Sequence, residues 1–324
     1  MKGREYTGIT VAGTVIVDKI NEISAYPACG QLTQIRSVHP SVGGCVPNVA
    51  LDLKQLAPDL PVYAVGTVGK DEEGEFVRET LETGGVDTRG LITLEGEKTS
   101  FTEVMSIPGG QRTFFTYAGA GAQFGSEHIA WETLPKVLHL GYFLLLERVD
   151  NGEGLKILQR AKEKGVETSI DMVSENSDRY GLVLPCLPYT DYLIINELEA
   201  GKLSGIDPTA ENLEKIARRL KELGVQKKVI IHQSDRAVCL SDEGFTCVPS
   251  YDLPKGFIQG ATGAGDAFCA GALLGIYQGL TDKAILEFAS AVAAVALHSP
   301  DATGGLKTQK EIESFCAGFT RQEL

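Results

Sequence analysis

The chain has 324 residues and a formal net charge of −13, an acidity that argues against a nucleic-acid partner because no basic stripe is left to displace phosphate counterions. No stretch approaches ~18 consecutive apolar residues and no charged-then-apolar leader opens the chain, so neither a membrane span nor a secretory signal is expected. Seven cysteines are scattered singly without a C-x-x-C pair; they read as reduced, mostly buried thiols in a cytoplasmic protein.

Residues 8–17 are β-rich and almost unbroken in apolar character, which predicts one strand buried on both faces. Asp18 then falls at the carboxyl end of that strand, where open α/β sheets bind ligands. It reads either as a hydroxyl acceptor for a polyol or as a turn aspartate. Residues 19–40 carry no long helical pattern. At 41–50 a Gly43-Gly44 turn leads into an amphipathic helix through Val49, Leu53 and Leu56, with Asn48 near its start. The glycines let a ligand lie against backbone, and the Asn48 amide offers both donor and acceptor.

Val62–Gly69 reads as a buried strand, followed by a helix from Asp71 whose acidic first turn suits its dipole. Two alternating strands, Phe101–Ile107 and Arg112–Tyr117, are joined by Pro108-Gly109-Gly110 and predict a hairpin. Strands at 137–141, 167–171 and 191–196, with a helix over about 152–164, give the cadence of a parallel sheet with helical crossovers. Asn196-Glu197-Leu198-Glu199 closes the last of these strands. It reads either as polar groups that hold waters on Mg²⁺ or as an acidic helix start. Lys228–His232 is a further strand, and an Ala-rich helix over 281–298 and a last helix around 309–317 end the chain.

Between them lies Gly260-Ala261-Thr262-Gly263-Ala264-Gly265-Asp266-Ala267-Phe268, ahead of a small-and-apolar helix. The first N–H groups of a helix lack internal acceptors and carry partial positive charge, and glycines leave them open to an anion. Asp266 beside that anion hole can take a proton from an attacking hydroxyl, a combination suited to phosphoryl transfer. A tight turn with close helix packing is the plainer alternative. A dinucleotide fingerprint fails because Phe268 stands where its last Gly is required. A Walker A loop fails because Gly69-Lys70 and Gly201-Lys202 continue with Asp71 and Leu203.

The late run resembles the D-T-x-G-A-G-D motif of ribokinase-like (PfkB) carbohydrate kinases: Thr262 to Asp266 match, while Gly260 and Ala261 depart. Gly43, Gly44, Asn48 and Ala50 match the family's G-G-x-x-x-N-x-A, Gly69, Asp71 and Gly74 its G-x-D-x-x-G, and Asn196 and Glu199 its N-x-x-E. The usual T-x-G-x-x-G appears here as His232–Ala237. The resemblance implies a three-layer α/β/α fold in a single domain, with a mainly parallel central sheet and a small β-sheet lid from about 14–40 and 98–123. It implies an ATP-dependent kinase for a small sugar or polyol. Asp266 would be the base, the Gly263, Ala264 and Gly265 amides would stabilise the transferring charge, and Asp18, Gly43, Gly44, Asn48 and Arg112 would hold the acceptor. Asn196, Glu199, His232, Ser234, Thr262, Gly263, Gly265 and Ser290 would serve the nucleotide. Mg²⁺ would be held through water by Glu199, and Arg236 could replace charge missing from the altered loop.

Asp301–Gly305 resembles a loop that helps bind a monovalent cation, K⁺, although Gly260 in place of the family's Asp argues against it. A homodimer through the lid also follows from the resemblance. Two rivals stand beside a sugar kinase. Lid aromatics (Phe114, Phe115, Tyr117) would suit a nucleoside acceptor. The altered residues 232–237 would suit a non-catalytic ligand sensor, against which the intact Asp266 speaks. Arg36 and Arg112 are too few for a sugar-phosphate pocket.

Overall fold

The computed structural model describes residues 7–108, 110–299 and 305–323. β1 (Ile9–Gly13) is buried at every position because parallel partners flank it on both sides. At Gly13 the chain leaves that sheet with φ at 130°, where a side chain would strike the Gly141 carbonyl oxygen at 2.5 Å. β2 (Ile16–Ile23) belongs to a second sheet. The apolar run at 8–17 is therefore two strands, and Asp18 sits within β2 instead of at the carboxyl end of β1. Both halves look alike in sequence because Ile9, Val11, Val15 and Val17 share one core.

β3 (Ile35–Gly43) runs antiparallel to β2 and delivers α1 (Cys45–Leu56). β4 (Val62–Gly69) leads into α2 (Glu72–Thr83), capped by the Asp71 carboxylate, which accepts the Gly74 N–H at 2.9 Å. β5 (Asp87–Leu94), which the sequence reading did not assign, extends the first sheet. β6 (Phe101–Ser106) and β7 (Arg112–Tyr117) form the expected hairpin, although Gly109 in its turn lies outside the described residues. The small sheet has the order β3-β2-β6-β7.

β8 (Val137–Phe143), α3 (Gly154–Glu163), β9 (Glu167–Met172), β10 (Tyr192–Asn196), α4 (Glu197–Ser204), α5 (Leu213–Glu222) and β11 (Lys228–His232) continue the crossovers. β12 (Arg236–Ser241) and β13 (Gly244–Pro249) then add antiparallel at one edge. The residues that replace the family's phosphate loop thus run straight into a strand at Arg236. α6 (Ala264–Tyr277), α7 (Asp282–Ala296) and α8 (Gln309–Cys316) complete the chain. The large sheet is ordered β13-β12-β11-β10-β9-β8-β1-β4-β5.

Successive strand residues point to opposite faces, and each face builds its own core. Tyr192 and Ile194 of β10 join α1, α6 and α7, while Leu193 and Ile195 join α3, α4 and α5. At ~1.5–3 kcal/mol per fully buried large aliphatic side chain, these two cores fix the three layers. α6 and α7 approach closely: a Cβ on Gly271 would lie 2.9 Å from Ala289 Cα. All seven cysteines are free thiols, with Cys29 and Cys247 exposed and the other five buried. Among the described residues no helix is long and apolar enough to cross a membrane.

Candidate active site

Gly263 caps α6 in the left-handed conformation, φ 81°, which a glycine adopts without strain. The first-turn amides that follow have no helical acceptor. A Cβ at Gly265 would meet only His232 Cε1, at 3.8 Å, so this face of the turn is open. Asp266, in the same turn, is buried. Its Oδ2 accepts two hydrogen bonds, from Asn48 Nδ2 at 2.8 Å and from the Tyr142 hydroxyl at 2.8 Å.

Each donor is placed by local backbone. Gly44, at φ 84°, turns the end of β3 into α1 and leaves no room for a Cβ, which would lie 2.7 Å from the Thr14 carbonyl oxygen. That turn sets Asn48 in the first part of α1, facing α6. Tyr142, near the carboxyl end of β8, has φ 61°, and its N–H donates to Asp171 Oδ1 at 2.5 Å. Burial, then the charge of Asp171, raises the Asp266 pKa to about 6; the Asn48 and Tyr142 hydrogen bonds oppose that rise.

Two cavities meet at this helix start. The smaller, about 470 Å³, is bounded by Asp18, Phe114, Tyr142, Asp171, Glu199 and Asp266 among others, and its wall carries no Lys or Arg. The larger, about 630 Å³, runs past Ser234, Arg236, Phe268 and Ser290. Asn196, His232 and Gly265 border both. Asp18 is half-buried, and burial raises its pKa to about 6 against a hydrogen bond from Thr102. Gly43 makes room for it: a Cβ there would stand 2.4 Å from Asp18 Oδ2. Gly43, Gly44 and Asn48 stand behind the residues that line this cavity. Asn48 Nδ2 is engaged by Asp266 while its Oδ1 is buried without a hydrogen-bond partner, and Tyr142 is on the wall.

Asn196 and Glu199 close a reciprocal cap on α4. Asn196 Oδ1 accepts the Glu199 N–H at 2.9 Å, and Glu199 Oε2 accepts the Asn196 N–H at 3.0 Å. Ser174 donates to Glu199 Oε1 at 2.7 Å. Burial raises the Glu199 pKa to about 7 against these hydrogen bonds. The tetrapeptide is thus a helix start, and its two capping residues also line the smaller cavity. The hard oxygen donors of Asn196 and Glu199 suit a Mg²⁺ that keeps its own waters.

His232 lies tilted at 33° against Phe268 with centroids 4.7 Å apart, and burial lowers its pKa to about 4, leaving a neutral donor. Ser290 Oγ is buried with no hydrogen-bond partner, an orphan donor that suits a heterocyclic base. Arg236 reaches the larger cavity but forks onto Asp235, with contacts of 2.9 and 3.2 Å, so its charge is partly neutralised. Arg112, in β7 of the small sheet, lies off the smaller cavity and donates to Thr262 Oγ1 at 3.2 Å. Asp301–Gly304, most of the loop read as a K⁺ site, lie outside the described residues.

Tyr142 and Asp171 were missed by the sequence reading. The signal was available, because both stand near the carboxyl ends of strands, where such sheets place ligands.

The model of the pfkB family of carbohydrate kinases matches residues 11–309. The chain is 24% identical over 307 residues to a ribokinase of Arabidopsis thaliana, covering 94% of this chain and 79% of the relative. It is 29% identical over 288 residues to an ATP-dependent ribose-1-phosphate kinase of Halopiger xanaduensis, covering 88% and 90%. Among solved structures, a ribokinase of Thermotoga maritima superposes with a TM-score of 0.82 at 23% identity, covering 97% of this chain and 100% of that one. The chain belongs to the pfkB family of carbohydrate kinases, and it is an ATP-dependent carbohydrate kinase.

Proposed function

We propose that the smaller cavity takes an uncharged polyhydroxy acceptor and the larger cavity takes ATP, with Asp266 as the base between them. The observation that carries this reading is the position of Asp266, fixed by Asn48 and Tyr142 where the two cavities meet. Both donors lie on Oδ2, and we assign proton transfer to Oδ1. The acceptor hydroxyl gives its proton to Asp266 as its oxygen bonds to the γ-phosphorus. The bond from that phosphorus to the β–γ bridging oxygen breaks, and ADP leaves with the electron pair. The Gly263–Gly265 amides meet the charge on the transferring group. When bound, Mg²⁺ neutralises phosphate oxygens, and Asn196 and Glu199 would hold it through water. Asp18 accepts acceptor hydroxyls.

The charge of the smaller cavity supports an uncharged acceptor. It has four carboxylates, Asp18, Asp171, Glu199 and Asp266, and no cation on its wall, which disfavours the sugar phosphate named for the Halopiger relative. Phe114 on that wall keeps a nucleoside as the second reading. The small sheet, with Arg112 joined to Thr262, would act as the lid that keeps water from the phosphoryl group. Its edge strands carry exposed Ile35, Val38, Phe115 and Tyr117, which supports pairing with a second copy. The free thiols support a reducing, cytoplasmic setting. An ATP-consumption screen over pentoses, hexoses, sugar acids, sugar phosphates and nucleosides tests the assignment. Turnover with a neutral sugar or polyol is expected; preference for a phosphorylated acceptor refutes the charge argument, and ATP binding without turnover on any of them favours a sensor.

A further inference from the structure

Beside Asp266, four side chains with metal-ligating atoms converge from four elements: Cys45 of α1, His139 of β8, Asp171 of β9 and Cys269 of α6. Ligand atoms of the first three, all buried, lie within 4.8 Å of one another. His139 Nε2 is 3.4 Å from Asp171 Oδ2, Cys45 Sγ is 4.0 Å from the same oxygen, and Cys269 Sγ is 3.7 Å from His139 Nε2. A tetrahedral zinc with N and O bonds of ~2.1 Å and S bonds of ~2.3 Å separates N from O by about 3.4 Å and S from either by about 3.6 Å. The imidazole and carboxylate already stand at that spacing, and Cys45 Sγ is about 0.4 Å long of it from the carboxylate. Cys269 Sγ is near it from the imidazole but lies outside the mutually close set of three, so its side chain must swing in to complete the tetrahedron.

The other ends of these ligands are tied down. His139 Nδ1 faces Ser169 Oγ at 3.1 Å, and Asp171 Oδ1 holds the Tyr142 N–H at 2.5 Å. Such outer contacts fix ring and carboxylate orientation at metal centres. Gly141 supplies room, since a Cβ there would fall 1.8 Å from Cys45 Sγ. Asp171 and Cys269 reach the wall of the smaller cavity, which gives an ion a way in.

We propose that Cys45, His139, Asp171 and Cys269 bind one divalent cation of the zinc type at the floor of the acceptor cavity. Two sulfurs, an imidazole and a carboxylate select a borderline-soft ion over Mg²⁺, so this site is distinct from the one that serves the nucleotide. On binding, both thiols give up their protons and the ion joins the starts of α1 and α6 to the ends of β8 and β9.

The test uses the full chain, produced in minimal medium with Co²⁺ replacing zinc and passed through gel filtration. One cobalt per chain is expected, with sulfur-to-cobalt charge-transfer absorption in the near ultraviolet and the strong visible bands of tetrahedral coordination. Cys45→Ser and Cys269→Ser should each weaken the near-ultraviolet band, and Cys29→Ser should not. Should either variant fail to fold, the wild-type spectrum decides. Folded wild-type protein that carries no cobalt and no thiolate band overturns the proposal, leaving only the His139–Asp171 contact at 3.4 Å. A band that survives unchanged in folded Cys45→Ser and Cys269→Ser overturns it as well.

Discussion

The Tyr142 hydroxyl reaches Asp266 Oδ2 at 2.8 Å from a backbone held at φ 61°, a left-handed conformation uncommon for an aromatic residue. The same residue's N–H is fixed on Asp171. Strain of this kind persists where its surroundings over-determine it, and here it aims a phenol at the proposed base. Tyr142→Phe removes a donor that favours the ionised carboxylate. A hydrogen bond to a charged group is worth about 1.5–3 kcal/mol, so the acid limb of the kcat profile should move up by about one pH unit or more. Activity should largely recover at high pH. An unmoved limb would show that the phenol does not act on Asp266.

Asp266→Asn keeps the shape and removes the base. Turnover should fall by roughly 10²–10⁴, while ATP binding followed by calorimetry stays within a few-fold of the parent. Full activity in this variant would end the assignment.

The pH dependence follows from the raised Asp266 pKa of about 6. The base works ionised, so kcat/KM should fall as pH drops through about 6 with Mg²⁺ as the only divalent ion present. The groups that face Asp266 are Tyr142, Asp171, His139, Asp52, Cys45 and Cys269. The stability sign is the reverse. Between the unfolded value near 4 and about 6 the folded state binds more protons, so stability falls as pH rises through that window. At neutral pH the ionised Asp266 costs the fold on the order of 2–3 kcal/mol. Asp266→Asn should therefore melt higher than the parent at pH 7.5 and lose that advantage near pH 4.

Gly43→Ala puts a methyl 2.4 Å from Asp18 Oδ2, and the carboxylate must move. The acceptor KM should rise about tenfold or more, in line with about 1.4 kcal/mol for each tenfold change, with the ATP KM little changed. Equal effects on both substrates would place Asp18 outside acceptor binding.

Arg112→Ala cuts the bond from the small sheet to Thr262. Water should then compete with the acceptor, and ATP hydrolysis without acceptor should rise several-fold relative to coupled turnover. Unchanged coupling would show that the Arg112–Thr262 bond plays no part in keeping water from the phosphoryl group.

The motif residues were legible because their chemistry is local. Gly263, Gly265 and Asp266 must be near one another wherever the helix lies, and the Asn196–Glu199 cap spans one turn. The parallel cadence was legible too, since strands buried on both faces read as apolar runs. The sequence could not say that residues 8–17 change sheets at Gly13, because a buried strand in either sheet has the same composition. Nor could it say that Asn48 faces Asp266 across 218 positions, or that Tyr142 completes the clamp. Local pattern alone determined which groups this protein owns and which helix start carries open glycines beside a carboxylate. Their partners, their raised pKa values and the Cys45–His139–Asp171–Cys269 cluster were decided by tertiary packing. Burial and cross-sheet distance depend on elements far apart in the chain, and no spacing rule encodes them.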